Sequence, residues 1–256
     1  MFDLTAATAA TERDFGAIIS QLDGLAEQDW KAPVRCAGWQ VTDLAVHVVG
    51  ASRGQAEGLR RAAAGAVDVA RLDPPAEREP RALLAALKDG QAQLLSALRY
   101  LPAGALGGAV PLPFGLVPAA VALQIIPLEY GFHRNDLDWA LGHEVSLTPD
   151  MASTLLGIVP GLLPMLAGGT PVSPAGARPA APVSFQLTAP AGQWRAEYAG
   201  DAWSITPADG SAASQCEISG DDSAMALFIM GRIAADHPSL TSTGTASAFK
   251  TFFPGP

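Results

Sequence analysis

The chain has 256 residues, of which 49% are hydrophobic and 16% charged, and its formal net charge is -9. That length exceeds the usual size of one compact domain and predicts two. The acidic balance argues against a surface built to collect phosphates, so nucleic acid is not an expected partner.

Cys36 and Cys216 are the only cysteines. They are too few for a disulfide scaffold or a four-cysteine zinc site, which points to a reducing cytoplasm, although a single long-range bridge stays open. The start, MFDLTAATAATERDFG, lacks a basic region followed by an apolar core and does not read as a signal peptide. No stretch is long and apolar enough to span a bilayer without Pro, Gly or charge interrupting it, so no membrane partner is expected.

Phe15, Ile18, Ile19, Leu22 and Leu25 recur at helical spacing and predict an amphipathic helix from about Leu4 to Glu27. After a turn at KAPVRCAGW, the residues Val41, Leu44, Ala45 and Val48 begin a second helix, with Asp43 at its positive end and Gly65 marking its far end. Gln40 is a poor N-cap there. A Pro-rich charged connection, ARLDPPAEREP, leads to a third helix defined by Leu84, Leu87, Leu94, Leu95 and Leu98.

The Gly- and Pro-rich segment LPAGALGGAVPLPFG reads as a long loop. It crosses to a fourth helix whose stripe is Val121, Ile125, Leu128 and Phe132, with Glu129 and His133 on the flank and Asp136 near them. Pro127 inside that pattern removes a backbone donor and predicts a bend. Four such helices make a four-helix bundle, an architecture that assembles metal sites from facing helices.

After Gly142 the texture changes. A helical stretch near MASTLLGIVPGLLPMLAGG precedes a Pro-rich linker around 171–182. VSFQLTA, QWRAEYA, AWSITPA and SQCEISG then read as short strands, DDSAMALFIMGRI as a helix and ASAFKTFF as a terminal one. The expected architecture is α plus α+β: a bundle over 1–145 and a small α+β domain over 146–256.

Three side chains suggest chemistry. His47 lies on the second helix, and Glu129 and His133 lie four residues apart on one face of the fourth. Two imidazoles and a carboxylate with one position left for water or substrate is the donor set of a catalytic metal. On spacing alone, however, a Glu and His four apart are common by chance, and a lone His47 is more often a satisfied, partly buried side chain.

The surroundings of these residues carry more. RCAGWQVTDLAVHVVG, followed about eighty residues later by EYGFHRNDLDWALG, resembles the mycothiol-dependent maleylpyruvate isomerase family, a branch of the DinB-like metalloenzymes. SGDDSAMALFIMGRIAADHPSLTSTGTASA is similar to that family's sterol-carrier-like C-terminal domain. The resemblance covers most of the chain.

It implies a DinB-like bundle followed by a sterol-carrier-like domain, and a divalent ion, usually zinc, on His47, Glu129 and His133. It also implies a low-molecular-weight thiol such as mycothiol as cosubstrate, deprotonated beside the metal. Arg232 matches the arginine that the family places on the C-terminal domain facing the metal cleft. There it would serve catalysis and hold the bound molecule through paired hydrogen bonds to a carboxylate; its bland reading is a solvated helix end.

The implied function is a metal-dependent isomerase or S-transferase acting on a small electrophilic substrate. A metal-bearing binding protein, and a metal-water enzyme that uses no thiol, stay open as alternatives.

Other residues read more plainly. Cys36 fits a packed thiol better than a nucleophile. Trp39 is expected as a core anchor, and Asp136 either orients His133 or lies on the surface. Asp221 and Asp222 read as helix N-terminal acids, and His143 and His237 have no evident partner. The family pattern around the ligands is closer to E-x-V-V-H-x-W-D-L, so Tyr130, Gly131, Arg134 and Asn135 are expected to form an altered cleft wall, suggesting a specialised biosynthetic pathway.

Overall fold

A computed structural model describes residues 3–36, 38–70, 72, 76–143, 146–169, 175–208 and 214–255. Contacts divide the chain into two compact units, Met1–Val145 and Ser146–Pro256. The point of division, together with parts of the predicted connections at 70–80 and 171–182, lies outside the described residues.

The first unit holds α1 (Leu4–Asp23), α2 (Val41–Ala63), α3 (Pro80–Arg99) and α4 (Ala119–Ala140). Their buried residues form one core that includes Phe15, Ile18, Val48, Leu59, Leu87, Leu94 and Ile126. Helix starts are capped locally: Asp3 accepts from the Ala6 amide at 2.8 Å, and Glu79 from the Ala82 amide at 2.9 Å. At α2, where Gln40 looked a poor cap, the Asp43 carboxylate reaches back to the Gln40 amide at 3.0 Å.

The segment read as a loop contains more order than its Pro and Gly content suggested. Ala109–Leu112 (β1) and Gly115–Pro118 (β2) pair antiparallel as a short hairpin. It seats against α2 where that helix has no side chains: a Cβ on Gly54 would lie 2.5 Å from Pro113 Cγ, and one on Gly58 2.6 Å from the Pro111 carbonyl oxygen. Those glycines create the seat, and the seat lies far from the hairpin in sequence.

α4 also differs from its expected single stripe. Its contribution to the bundle core is Ala119, Ala122, Leu123, Ile126, Tyr130 and Leu137, while Leu128 and Phe132 are buried on the opposite flank. Glu129, His133 and Asp136 fall between these two faces, and Pro127 sits inside the continuous helix.

The second unit opens with α5 (Pro149–Gly168), which runs through Pro160 and Pro164. Among the described residues it is the one helix whose length and composition would suffice to cross a membrane. Its contacts are to β5 and α6 of the same unit. The sheet comprises β3 (Val183–Ala189), β4 (Gly192–Ala199), β5 (Ala202–Pro207), β6 (Cys216–Gly220) and β7 (Leu240–Ser242). Its order is β5-β4-β3-β6-β7, with β3 and β6 parallel and the other pairs antiparallel.

The three-residue β7 was not among the predicted strands. α6 (Asp222–Ile229) and α7 (Ala248–Phe252) add aromatic residues to the core, where Phe249 packs against Phe185 and Phe228 at ring distances of 5.4 and 5.1 Å. A helical first unit followed by a mixed-sheet second unit is the architecture the sequence predicts.

Candidate metal centre

His47 is two turns into α2, and Glu129 and His133 share one face of α4. The fold brings their donor atoms together. His47 Nε2 lies 2.6 Å from Glu129 Oε1, and His133 Nε2 lies 3.4 Å from the same oxygen. One ligand atom from each residue falls within 4.8 Å of the other two. Bonds of about 2.0–2.1 Å at tetrahedral angles place ligand atoms about 3.3 Å apart, so the His133–Glu129 spacing already suits a shared ion. The donor set of two imidazoles and a carboxylate fits a divalent cation chemically as well.

Exposure differs among the three. His47 and Glu129 keep 25% and 23% of their side-chain surface, while His133 keeps 7%. His133 is thus the buried member of the group, and His47 and Glu129 form its accessible side. Burial pushes the Glu129 carboxyl upward, but His47 and His133 beside it hold it well below the usual carboxylate range. Burial works to lower His133, and the Glu129 carboxylate, with Asp136, Cys36 and Glu129 accepting hydrogen bonds from the ring, carries it well above its usual value. In the absence of metal this is an ion pair.

Behind His133 stands a second group. Its Nδ1 lies 3.1 Å from Asp136 Oδ2, and Cys36 Sγ donates to the same oxygen at 3.5 Å. Asp136 is fully buried, so it lies behind the imidazole and not on the surface. A carboxylate that accepts from Nδ1 leaves Nε2 free to face an ion, which is how ligating histidines are commonly oriented. Cys36 is brought here by the turn before α2, held by the Val34 amide on the Trp39 carbonyl at 3.1 Å and the Trp39 amide on the Cys36 carbonyl at 3.0 Å.

The same turn sets Trp39 against the site. Its ring centroid is 5.0 Å from His47 and 6.3 Å from His133, so Trp39 borders the donors as well as packing on the core.

The expected altered wall is corrected. Tyr130 is fully buried in the bundle core, where its hydroxyl donates to Gln55 Oε1 at 2.8 Å. Arg134 turns to α1 and bonds Asp14 Oδ1 at 2.9 Å. Asn135 accepts from Arg35 Nη1 at 2.9 Å. At about 100° per residue, positions 131, 134 and 135 project away from the face shared by 129 and 133, and position 130 falls beside that face on the side of the bundle core.

Arg232 belongs to the second unit, is 8% exposed, and donates from Nη1 to the Met230 carbonyl at 2.8 Å. It is therefore not a solvated helix end. Asp221 caps α6 by accepting from the Ala224 amide at 2.7 Å, and Asp222 accepts from the Ala191 amide at 2.8 Å, as expected of helix N-terminal acids. His237 Nδ1 accepts from the Ser239 amide at 3.2 Å.

The family described as the mycothiol maleylpyruvate isomerase N-terminal domain matches residues 12–138, nearly the whole of the first unit and every donor described above. Residues 12–138 belong to this mycothiol maleylpyruvate isomerase family. Two solved structures have the same fold: a crystal structure of the mycothiol-dependent maleylpyruvate isomerase, and one of a histidine-to-alanine mutant of it. Each is 18% identical, covers 94% of this chain and 93% of its own, and superposes with a TM-score of 0.68. No curated protein matches the chain by sequence.

Proposed function

We propose that this chain is a divalent-metal enzyme that uses a low-molecular-weight thiol of the mycothiol type to isomerise a small electrophilic substrate. The observation that carries this reading is the convergence of His47, Glu129 and His133 on one accessible point, with Asp136 orienting the buried imidazole from behind. Family membership and the fold of the mycothiol-dependent isomerase support it.

When bound at these donors, a divalent ion such as zinc keeps a thiol in its thiolate form at neutral pH. The chain's own residues do the rest. Glu129 and the Nε2 atoms of the two histidines present lone pairs to the ion, Asp136 retains the His133 Nδ1 proton, and Trp39 screens one side of the imidazoles from water. A thiolate that adds to an activated double bond leaves a single bond free to rotate, and its departure restores the double bond in the other geometry. In S-transfer by addition the thiol stays on the product, and the carbanion left by the addition takes up a proton from solvent.

Arg232 is proposed to hold a substrate carboxylate, since a guanidinium makes paired hydrogen bonds to one. A cytoplasmic location follows from the need for a reduced thiol and agrees with both cysteines being free.

The experiment is metal analysis of the purified protein together with turnover of electrophilic alkenes, with and without mycothiol. Near one equivalent of metal, lost together with activity in His47→Ala and His133→Ala, supports the reading. Turnover that is indifferent to thiol would replace it with metal-water chemistry, and a protein that binds no divalent ion at micromolar levels would end it.

A further inference from the structure

Glu129 is followed by a residue that lies in the bundle core and not in the wall of the candidate metal site. Tyr130 is fully buried, and it is tied to two other helices of the bundle. From α1, Phe15 stacks on its ring with centroids 4.4 Å apart and planes within 11°. From α2, Gln55, itself 4% exposed, accepts the tyrosine hydroxyl at 2.8 Å. α2 is also the helix that carries His47.

A buried hydroxyl and a buried amide are costly in an apolar core unless they find each other, so each penalises arrangements that separate them. Apolar side chains of similar volume would fill the same space and tolerate neighbouring rotations. A single buried polar contact is best attested as a device that selects one register among several similar packings. Here the register concerns the rotation of α4 about its own axis. Tyr130 and Glu129 are consecutive, so any rotation that moves one moves the other by the same angle. With a carboxylate about 6 Å from the helix axis, a rotation of about 20° displaces it by about 2 Å, the length of a metal–ligand bond.

We propose that the Tyr130–Gln55 hydrogen bond, with Phe15 stacked on the same ring, is a positioning device that fixes the rotation of α4 relative to α2 and so aims Glu129 and His133 at His47. This rests on the reading of those three residues as metal ligands and adds to it two positioning residues that touch neither metal nor substrate.

The test compares the parent protein with Tyr130→Phe and with the double variant Tyr130→Phe/Gln55→Leu. Zinc affinity is measured by chelator competition, the visible absorption of the cobalt form is recorded, and thermal midpoints are taken without metal. The single variant strands a buried amide and is expected to melt lower. The double variant removes both polar groups and is expected to recover much of that loss.

Both variants are nevertheless expected to bind zinc about tenfold more weakly, the size of effect typical of groups that orient ligands, and to show an altered cobalt spectrum. A double variant with the parent's zinc affinity and cobalt spectrum overturns the positioning role while leaving the metal centre standing. A parent protein that binds neither ion overturns the metal reading and this inference with it.

Discussion

Asp136 Oδ2 lies 3.1 Å from His133 Nδ1, and the opposite nitrogen of the same ring lies 3.4 Å from Glu129 Oε1. One buried carboxylate thus decides which imidazole nitrogen faces the candidate metal. Replacing it with Asn keeps the volume but admits the wrong tautomer, and replacing it with Ala removes the acceptor. Asp136→Ala is expected to weaken zinc binding by about 10- to 100-fold, as measured by chelator competition, with little change in far-ultraviolet dichroism. Unchanged affinity would mean that Glu129 and the helix alone hold the ring.

The ion pair between Glu129 and His133 predicts the pH response of the metal-free protein. Glu129 is held below its ordinary 4.5, so its contribution to stability is present above that value and is lost as pH falls through the lower folded value. His133 is raised above its ordinary 6.5, so its contribution is complete below 6.5 and is lost as pH rises toward the raised folded value. These two groups together stabilise most between about pH 4.5 and 6.5. Thermal melts should show stability falling on the alkaline side of that window, and His133→Gln should flatten the fall. Metal binding should have the opposite trend, since it requires a deprotonated imidazole.

Much of this arrangement was legible in the sequence where periodicity carries the information. Phe15, Ile18 and Leu22 announce α1, and VSFQLTA matches β3 residue for residue. The candidate donors were singled out only through the motif around them, because the approach of α2 to α4 is a tertiary fact that a four-residue spacing does not contain. Tyr130 was misplaced for the same reason. Its position beside Glu129 suggested the site wall, whereas its ring is claimed by Phe15 and Gln55, which lie more than seventy residues away in the chain. Gln55 itself carries no signal at all, since a glutamine in a helix reads as solvent-facing until its partner is known.

Lys250 offers a test in the second unit. Its ammonium donates to the Ile229 carbonyl at 2.9 Å and lies 4.7 Å from the Phe228 ring centroid. Burial, and then the neighbouring Arg232, lower its pKa to about 7 from 10.5. Because the folded state binds this proton less tightly than the unfolded chain, Lys250 costs stability in full below about pH 7, and the cost fades as pH rises to 10.5. Lys250→Met should therefore compare most favourably with the parent below pH 7. Its relative thermal midpoint should decline through pH 7 to 10.5, and a difference that stays flat across that range would contradict the assignment.

The hairpin that the sequence hid gives a sharper mutational contrast. Within a helix, Gly→Ala ordinarily gains up to about 1 kcal/mol, because alanine restricts the unfolded chain and favours the helix. At Gly157 in α5 nothing lies within 4 Å of the added carbon, so Gly157→Ala should raise the thermal midpoint. At Gly58 the same carbon would stand 2.6 Å from the Pro111 carbonyl oxygen, a backbone atom that cannot rotate aside. Relieving that overlap means pushing β1 off α2, and overpacking of this kind costs about 1–3 kcal/mol. The clash therefore outweighs the propensity gain, and Gly58→Ala should lower the midpoint. If it instead stabilises the protein as Gly157→Ala does, the hairpin is not seated on α2 through this glycine.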